Sequence, residues 1–128
     1  WLIFGIRWGR FAPVAVVALG TVAAAASFGV FLNSLRRSVR GGGMIFGGVL
    51  TITGMLGIIQ IFAMGSPAAA LMGGTVALLV PQGWAARGLL EAMGGADLGQ
   101  ALPRAIGLLV WTAVFLIIGV WRFRKRFA

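Results

Sequence analysis

Forty-six consecutive residues, from Gly41 to Ala86, contain no Asp, Glu, Lys or Arg. Two further uncharged stretches run over 25 residues from Phe11 to Leu35 and over 17 residues from Ala105 to Trp121. A helix needs about 20 mostly apolar residues to cross a bilayer, and charged side chains are rare within it. The chain is therefore predicted to be an all-α membrane protein whose helices are separated by short charged segments.

The composition excludes several classes of function. The chain has no His and no Cys, and its two acids, Glu91 and Asp97, lie six residues apart among glycines. This set forms no recognised acid/base pair or metal site. We therefore predict that this chain is not an enzyme and holds no catalytic residue, metal or cofactor, and an intramembrane enzyme is the weakest hypothesis. The two acids are expected to pair with Arg87 or Arg104 at the membrane interface.

The net charge of +9 indicates membrane lipid as a partner rather than nucleic acid. The basic residues lie at the ends of the apolar stretches, where they anchor to headgroups and set the orientation of the chain. By the positive-inside rule, both strong clusters are predicted to lie in the cytoplasm. The residues that determine this topology are Arg36, Arg37, Arg40, Arg122, Arg124, Lys125 and Arg126.

Residues 1–128 are predicted to form a single transmembrane region. Gly41, Gly42 and Gly43 are expected to break the helix between the first two spans, which then lie antiparallel. The opening apolar run is too short to cross a bilayer, so it is predicted to end a span of a larger protein. The segments are the tail of that span at 1–6, spans at 11–32, 44–64 and 105–121, and a cytoplasmic tail at 122–128.

Residues 65–99 are predicted to be an outer re-entrant or interfacial segment. With both basic clusters inside, the chain between them crosses an even number of times, and the 14 apolar residues of 67–80 are too few for a crossing. We expect this run to bury Leu71, Val76 and Leu79 and to leave Trp84 at the outer interface. Irregular backbone at membrane depth needs protein or a water-filled cavity around it. The candidate outer gate is Pro81, Gln82, Gly83 and Trp84.

Small and polar residues inside the spans have two interpretations. Glycines such as Gly43, Gly47 and Gly54 allow close helix packing in lipid, or they line a path at an interface with a second copy. Thr53 is expected to bond back to its own helix. Gln60 cannot satisfy itself so easily, which makes it, with Gly54, a candidate for packing or for lining a path.

The layout resembles the C-terminal half of a type-2 ABC exporter permease. The matching parts are the short tail at 1–6, a small-residue-rich span ending in the basic turn LNSLRRSVRGGG, a second span, the outer segment closing with PQGWAARGLL, and a last span with a basic tail. The proline and tryptophan of PQGW are the most family-like piece. The resemblance covers nearly the whole chain and rests on pattern more than on a sharp motif.

This resemblance implies a fragment of a six-span permease that forms the substrate path with a second permease copy. An ABC ATPase subunit, separate or fused, would bind the ATP, and the protein would be multi-pass in a bacterial inner membrane. The alternative is a non-transporting membrane scaffold or assembly subunit, which would show the same packing and the same charge pattern. The transported substrate does not follow from the sequence.

Overall fold

The computed structural model describes residues 9–35, 39–62, 67 and 71–127, and only the backbone of residues 39–41, 45, 60, 62, 72, 73, 126 and 127. Its long elements are four helices, and no strand occurs among these described residues. The predicted segment 1–6, together with Arg36 and Arg37, lies outside them. The helices are α1 (Phe11–Leu35), α2 (Val39–Phe62), α3 (Pro81–Met93) and α4 (Leu98–Phe127).

Three of these helices are long and apolar enough to cross a membrane. Their apolar stretches cover the 25 residues of α1, 18 residues of α2 (Gly42–Ile59) and 28 residues of α4 (Leu98–Lys125). At 1.5 Å per residue, even the shortest reaches roughly 27 Å, close to the thickness of the hydrocarbon core. For the described residues, the prediction of an all-helical chain with three candidate membrane-spanning helices is confirmed.

The predicted break at Gly41–Gly43 is wrong, because α2 begins at Val39 and continues through all three glycines. Glycine in a helix costs about 1 kcal/mol relative to alanine. In an apolar solvent, however, every backbone N–H and C=O group needs a partner, and the helix supplies those partners locally. Backbone hydrogen bonding therefore outweighs the low helix propensity of these glycines.

Helix α4 begins seven residues before the predicted start at residue 105, and Pro103 lies inside it. The cause is a capping box at its first turn. The Gln100 backbone N–H donates to Asp97 Oδ1 at 2.9 Å, and the Asp97 N–H donates to Gln100 Oε1 at 3.3 Å. Asp97 therefore caps α4 instead of forming the expected pair with an arginine.

Helices α1 and α4 form a continuous seam. Val17, Ala24 and Leu108 are fully or almost fully buried in it. At Gly20, an added Cβ would lie 3.3 Å from the Leu108 side chain, so the glycine allows the close approach of the two helices. Gly119 lies against Phe31 in the same way. Because Gly20 faces Leu108 and Phe31 faces Gly119, the two helices run in the same direction.

An aromatic cluster continues this seam towards the end of α1. The ring centroids of Phe28 and Phe115 lie 4.8 Å apart, those of Phe31 and Phe115 lie 5.4 Å apart, and those of Trp111 and Phe115 lie 5.3 Å apart. Tilted and offset stacks at such distances add to the stabilisation from packing alone. The seam is thus packed along most of the length of α1.

Helix α2 runs opposite to α1 and contacts it only weakly. Phe46, near the start of α2, packs against the cluster formed by Phe28 and Leu32 of α1 and Phe115 of α4. Further along α2, Gly57 contacts the start of α3, and Gly88 of α3 contacts Val17 near the start of α1. Helix α3 therefore lies at the end of the bundle opposite the C-terminal end of α1 and the basic end of α4.

Candidate functional site

The candidate site surrounds an interruption of the helical structure just before α3. Residues Met72–Val76 form a π-helical turn and Ala77–Leu79 a 3-10 turn. Val80 is extended, with φ −128° and ψ 147°, and Pro81 then occupies the first turn of α3. Proline suits this position because its missing N–H is one that a helix start leaves unbonded. The described part of 67–80 is thus not one straight helix.

Gly83 allows the 3-10 turn at Ala77 and the start of α3 to lie very close together. A Cβ at Gly83 would lie 1.7 Å from the carbonyl oxygen of Ala77, so any larger residue would push the backbones apart. The Trp84 indole Nε1–H donates to the carbonyl oxygen of Leu78 at 2.8 Å. These contacts fold the 3-10 turn back onto the start of α3.

The ring of Trp84 also joins α3 to α4. A Cβ at Gly107 would lie 2.4 Å from the Trp84 ring, which means that the indole lies directly on the backbone of α4. The Arg104 guanidinium carbon is 5.9 Å from the centre of the same ring, within the range of a cation–π contact. Trp84 is half-buried among these groups.

Gln82 joins α3 to α2. Its Nε2–H donates to Thr53 Oγ1 at 2.9 Å, and the Thr53 hydroxyl donates to the carbonyl oxygen of Val49 at 2.8 Å. The expected back-bond of Thr53 is therefore present, and the hydroxyl also accepts a bond from another helix. Beside it, a Cβ at Gly57 would lie 2.5 Å from Gln82 Cβ. Gly57 is the contact that sequence analysis missed.

Two of the predicted burials are wrong. Leu71 is 72% exposed and Leu79 is 68% exposed, while Val76 is half-buried. Among the described side chains of this run, the buried ones are instead those of Ala77 and Val80. Because π and 3-10 turns have different numbers of residues per turn, the face that points inward changes along the segment.

The glycines singled out in α2 have no close neighbour. An added Cβ at Gly43, Gly47 or Gly54 would meet no atom within 4 Å. Close packing at these glycines is thus not seen among the described residues of one chain. The side chain of Gln60 lies outside the described atoms, and its role as a path or packing residue stays a prediction.

A three-residue ionic cluster holds the far end of α3 against α4. Arg104 donates through Nε to Glu91 Oε2 at 2.8 Å and through Nη2 to Oε1 at 3.0 Å, while Arg87 Nε donates to Oε1 at 2.9 Å. The expected pairing of Glu91 is thus confirmed with both arginines. The hydrogen bonds from Arg104 are the largest of the influences that hold the pKa of Glu91 below its ordinary value, against an opposing effect of partial burial.

The basic end of α4 is exposed. Arg122, Arg124 and Lys125 all face outward, and Lys125 Nζ lies 4.2 Å from the centre of the Trp121 ring. An amphipathic tryptophan next to exposed cations is typical of a helix end at a membrane surface. The backbones of Arg40 and Arg126 belong to α2 and α4, but their side chains lie outside the described atoms.

A lateral cavity of about 320 Å³ opens between α1, α2 and the start of α3. Its α1 wall includes Ala25 and Gly29, its α2 wall includes Leu50, and Gln82 lines the α3 side. The cavity forms where α1 and α2 have little direct contact. The mostly apolar lining is suited to binding an apolar molecule.

Comparison with known proteins gives no significant match to a family model, to a curated protein or to a solved structure.

Proposed function

We propose that the chain is the C-terminal part of a permease subunit of an ATP-driven exporter of the type-2 ABC class. In this proposal, two permease copies form the substrate path in a bacterial inner membrane, and an ABC ATPase, separate or fused, supplies the energy. The chain itself is not an enzyme and binds no cofactor. The resemblance of the span pattern and of the PQGW segment to that family is the basis of the proposal.

The observation that supports it best is the packing of Pro81–Trp84. The helix break at this point is hydrogen-bonded to α2 through Gln82 and to the preceding 3-10 turn through Trp84, whose ring also packs on α4 at Gly107. Because this segment contacts both α2 and α4, movement of either helix would displace it. We propose that Pro81, Gln82, Gly83 and Trp84 form the outer gate.

Transport by the full-length protein tests the assignment. In the first experiment, the protein is purified from native membranes, and ATPase subunits that copurify with it are identified. In the second, uptake of candidate compounds into inverted vesicles is measured with and without ATP. We expect ATP-dependent uptake that stops when the ATPase is inactivated. Transport that continues unchanged without ATP hydrolysis would refute the ATP-driven exporter. The absence of both transport and any ATPase, separate or fused, would favour the non-transporting scaffold.

Topology can be tested independently, because this chain contains no Cys. Single cysteines at Ser38 and Gly94 are labelled with a membrane-impermeant maleimide in intact cells and in inverted vesicles. We expect position 38 to react only from the cytoplasmic side and position 94 only from the outside. Reaction of both positions from the same side would contradict the three-span topology.

A further inference from the structure

A polar pocket lies where the turn between α3 and α4 meets the first turns of α4. Its volume is about 760 Å³, and its lining includes Glu91, Gln100, Pro103 and Arg104. Small-molecule sites have volumes of about 300 to 1,000 Å³, so this pocket has room for a group larger than a simple ion. Unlike the cavity between α1 and α2, it is lined by charged side chains.

The charges beside this pocket leave one cation in excess. Glu91 accepts hydrogen bonds from both Arg87 and Arg104, so a single carboxylate is shared by two guanidinium groups. Asp97 is the other acid of the chain, and its Oδ1 accepts from the Gln100 N–H at the start of α4. There it offsets the positive end of the helix dipole. The cluster of two arginines and one glutamate therefore attracts an anion.

Arg104 and Gln100 have donors that can reach such an anion. Arg104 bonds to Glu91 through Nε and Nη2, and its Nη1 has no acceptor among the described atoms. Gln100 uses its Oε1 and its backbone N–H in the capping box, and its Nε2 has no acceptor there either. Gln100 is exposed, and the Arg104 side chain is 21% exposed. Phosphate oxygens accept readily from guanidinium and amide groups.

The position of Arg104 along α4 places the pocket at the level of lipid headgroups. Arg122 faces outward at the basic end of α4, and Arg104 lies 18 positions before it. At 1.5 Å per residue this separation is roughly 27 Å, close to the thickness of the hydrocarbon core. When Arg122 lies at one membrane surface, Arg104 and the pocket therefore lie at the other.

Next to the pocket, α4 presents apolar side chains to the bilayer. Ile106 and Val110 follow Pro103 by three and seven residues, and they are 57% and 58% exposed. Residues at these spacings share one face of a helix. The acyl chains of a lipid whose headgroup fills the pocket can lie along this face. A phospholipid thus matches both the pocket and the face beside it, whereas free phosphate matches only the pocket.

We propose that this pocket binds the phosphodiester group of a phospholipid. Arg104 and Gln100 donate to the phosphate oxygens, and the acyl chains lie along Ile106 and Val110. Glu91 holds the Arg104 guanidinium in position through two hydrogen bonds. The bound lipid ties the turn between α3 and α4 to one leaflet of the membrane. The site is independent of the proposed exporter, because it needs neither ATP nor a second copy.

The test uses the full-length protein in dodecyl maltoside, without ATP, and two photoreactive probes. One is phosphatidylglycerol with a diazirine near the start of one acyl chain, and the other is diacylglycerol with the same chains and no phosphate. Labelled residues are identified by mass spectrometry. We expect phosphatidylglycerol to label α4 near Ile106 with an affinity at least about tenfold higher than that of diacylglycerol, because the charge-assisted hydrogen bonds require the phosphate.

Two matched substitutions locate the phosphate. Arg104→Gln and Arg87→Gln each remove one cation that is bonded to Glu91, but only Arg104 lines the pocket. We expect Arg104→Gln to lower the affinity for phosphatidylglycerol about tenfold. Arg87→Gln should lower it less than about twofold, because a charge outside the pocket acts only through screened attraction.

A third substitution leaves the start of α4 intact. Gln100→Glu keeps a side-chain acceptor for the Asp97 N–H, so the capping box is preserved, but it places a negative charge in the pocket. We expect an unchanged melting temperature and a loss of phosphatidylglycerol labelling near Ile106. Inorganic phosphate, added as the soluble competitor, should not displace the lipid.

Three results would overturn the proposal. Equal affinity of phosphatidylglycerol and diacylglycerol would reduce the site to an apolar surface for acyl chains. Equal losses from Arg104→Gln and Arg87→Gln, with labelling retained in Gln100→Glu, would show that the phosphate does not bind in the pocket. Displacement of the lipid by inorganic phosphate at equal concentration would make the pocket a site for soluble anions. None of these results depends on whether the protein transports anything.

Discussion

The two apolar helices that pair with α1 are held in different ways. Helix α4 packs against α1 along most of its length, through small residues at one end and stacked aromatic rings at the other. Helix α2 is attached mainly through α3 and the short turns before it. Only 12% of the apolar stretch of α2 is buried, against 28% for α1 and 22% for α4.

This difference explains where the candidate site lies. In lipid, helices associate by close packing and hydrogen bonds, because the apolar solvent provides no hydrophobic drive between them. The α1–α4 seam uses close packing, whereas α2 uses Gly57 and Thr53 at one end of its length. The space that is left between α1 and α2 is the cavity, and Gln82 belongs both to it and to the attachment of α2.

The largest predicted effect comes from the seam itself. Leu108 is completely buried there, whereas its neighbour Leu109 is 54% exposed. We expect Leu108→Ala to lower the free energy of unfolding by about 3 kcal/mol through the cavity it creates. Leu109→Ala should change it by less than about 0.5 kcal/mol. Unfolding by SDS in mixed micelles measures both, and equal losses for the two variants would show that α1 and α4 are not paired as described.

The second prediction compares two glycines of α2 that lie three residues apart. A Cβ at Gly57 would lie 2.5 Å from Gln82 Cβ and 2.9 Å from the backbone of α3, whereas a Cβ at Gly54 would meet nothing within 4 Å. We expect Gly57→Ala to destabilise the protein by about 2 kcal/mol, because two backbones must separate.

Gly54→Ala serves as the control for this substitution. It should be neutral or slightly stabilising, because alanine restricts the unfolded chain and no neighbour is displaced. The two variants are compared by the same SDS titration and by protease digestion. If Gly54→Ala is the more harmful of the two, then α2 is rotated relative to the arrangement described, or a second copy packs on Gly54.

The comparison also shows what the sequence could predict. The three apolar helices followed from length and from the absence of charge, because the bilayer imposes both on any spanning helix. The starts of these helices at Val39 and Leu98 did not follow from the sequence. The glycine run at 41–43 suggests a break, but backbone hydrogen bonds preserve the helix there. The sequence prediction also misses the Asp97–Gln100 capping box, which marks the start of α4.

The sequence could predict the site only at residue types that have one dominant structural role. Pro81 indicates a helix boundary, and it occupies the first turn of α3. The position of Trp84 at the outer interface stays a prediction, and its packing on Gly107 of α4 was not predicted. Gly54 and Gly57 look alike in a sequence, and only the approach of α3 distinguishes them. The exposure of Leu79 depended on the type of helical turn before it, which apolar residue spacing does not reveal.

A smaller effect is expected from the polar attachment of α2. Thr53→Val keeps the shape of the side chain but removes the acceptor for Gln82 Nε2. Hydrogen bonds between helices in membranes contribute about 0.6 kcal/mol on average, so we expect a loss of about 0.5 to 1.5 kcal/mol. Thr51→Val, at an exposed position of the same helix, should have little effect. A loss as large as that of Gly57→Ala would mean that Thr53 does more than bond to Gln82.

The smallest effect concerns the ionic cluster that joins α3 to the strongly held α4. Its three side chains are 21–36% exposed, so solvent screening limits what the pairs contribute. Arg104, followed by Arg87, lowers the pKa of Glu91 in the folded protein below its ordinary value of 4.5. A carboxylate of this kind stabilises the fold fully above its ordinary pKa, and that stabilisation is lost as the pH falls through the lowered value.

We therefore expect the melting temperature of the unsubstituted protein to fall as the pH is lowered from 6 to 3. Glu91→Gln should start lower at pH 6 and should lose less over the same range, so that the two proteins converge in acid. Asp97→Asn removes the other acid of this chain and separates its contribution from that of Glu91. If Glu91→Gln keeps the full acid response, the bonds from Arg104 do not hold α3 against α4, and packing of Trp84 on Gly107 would be the main attachment between these two helices.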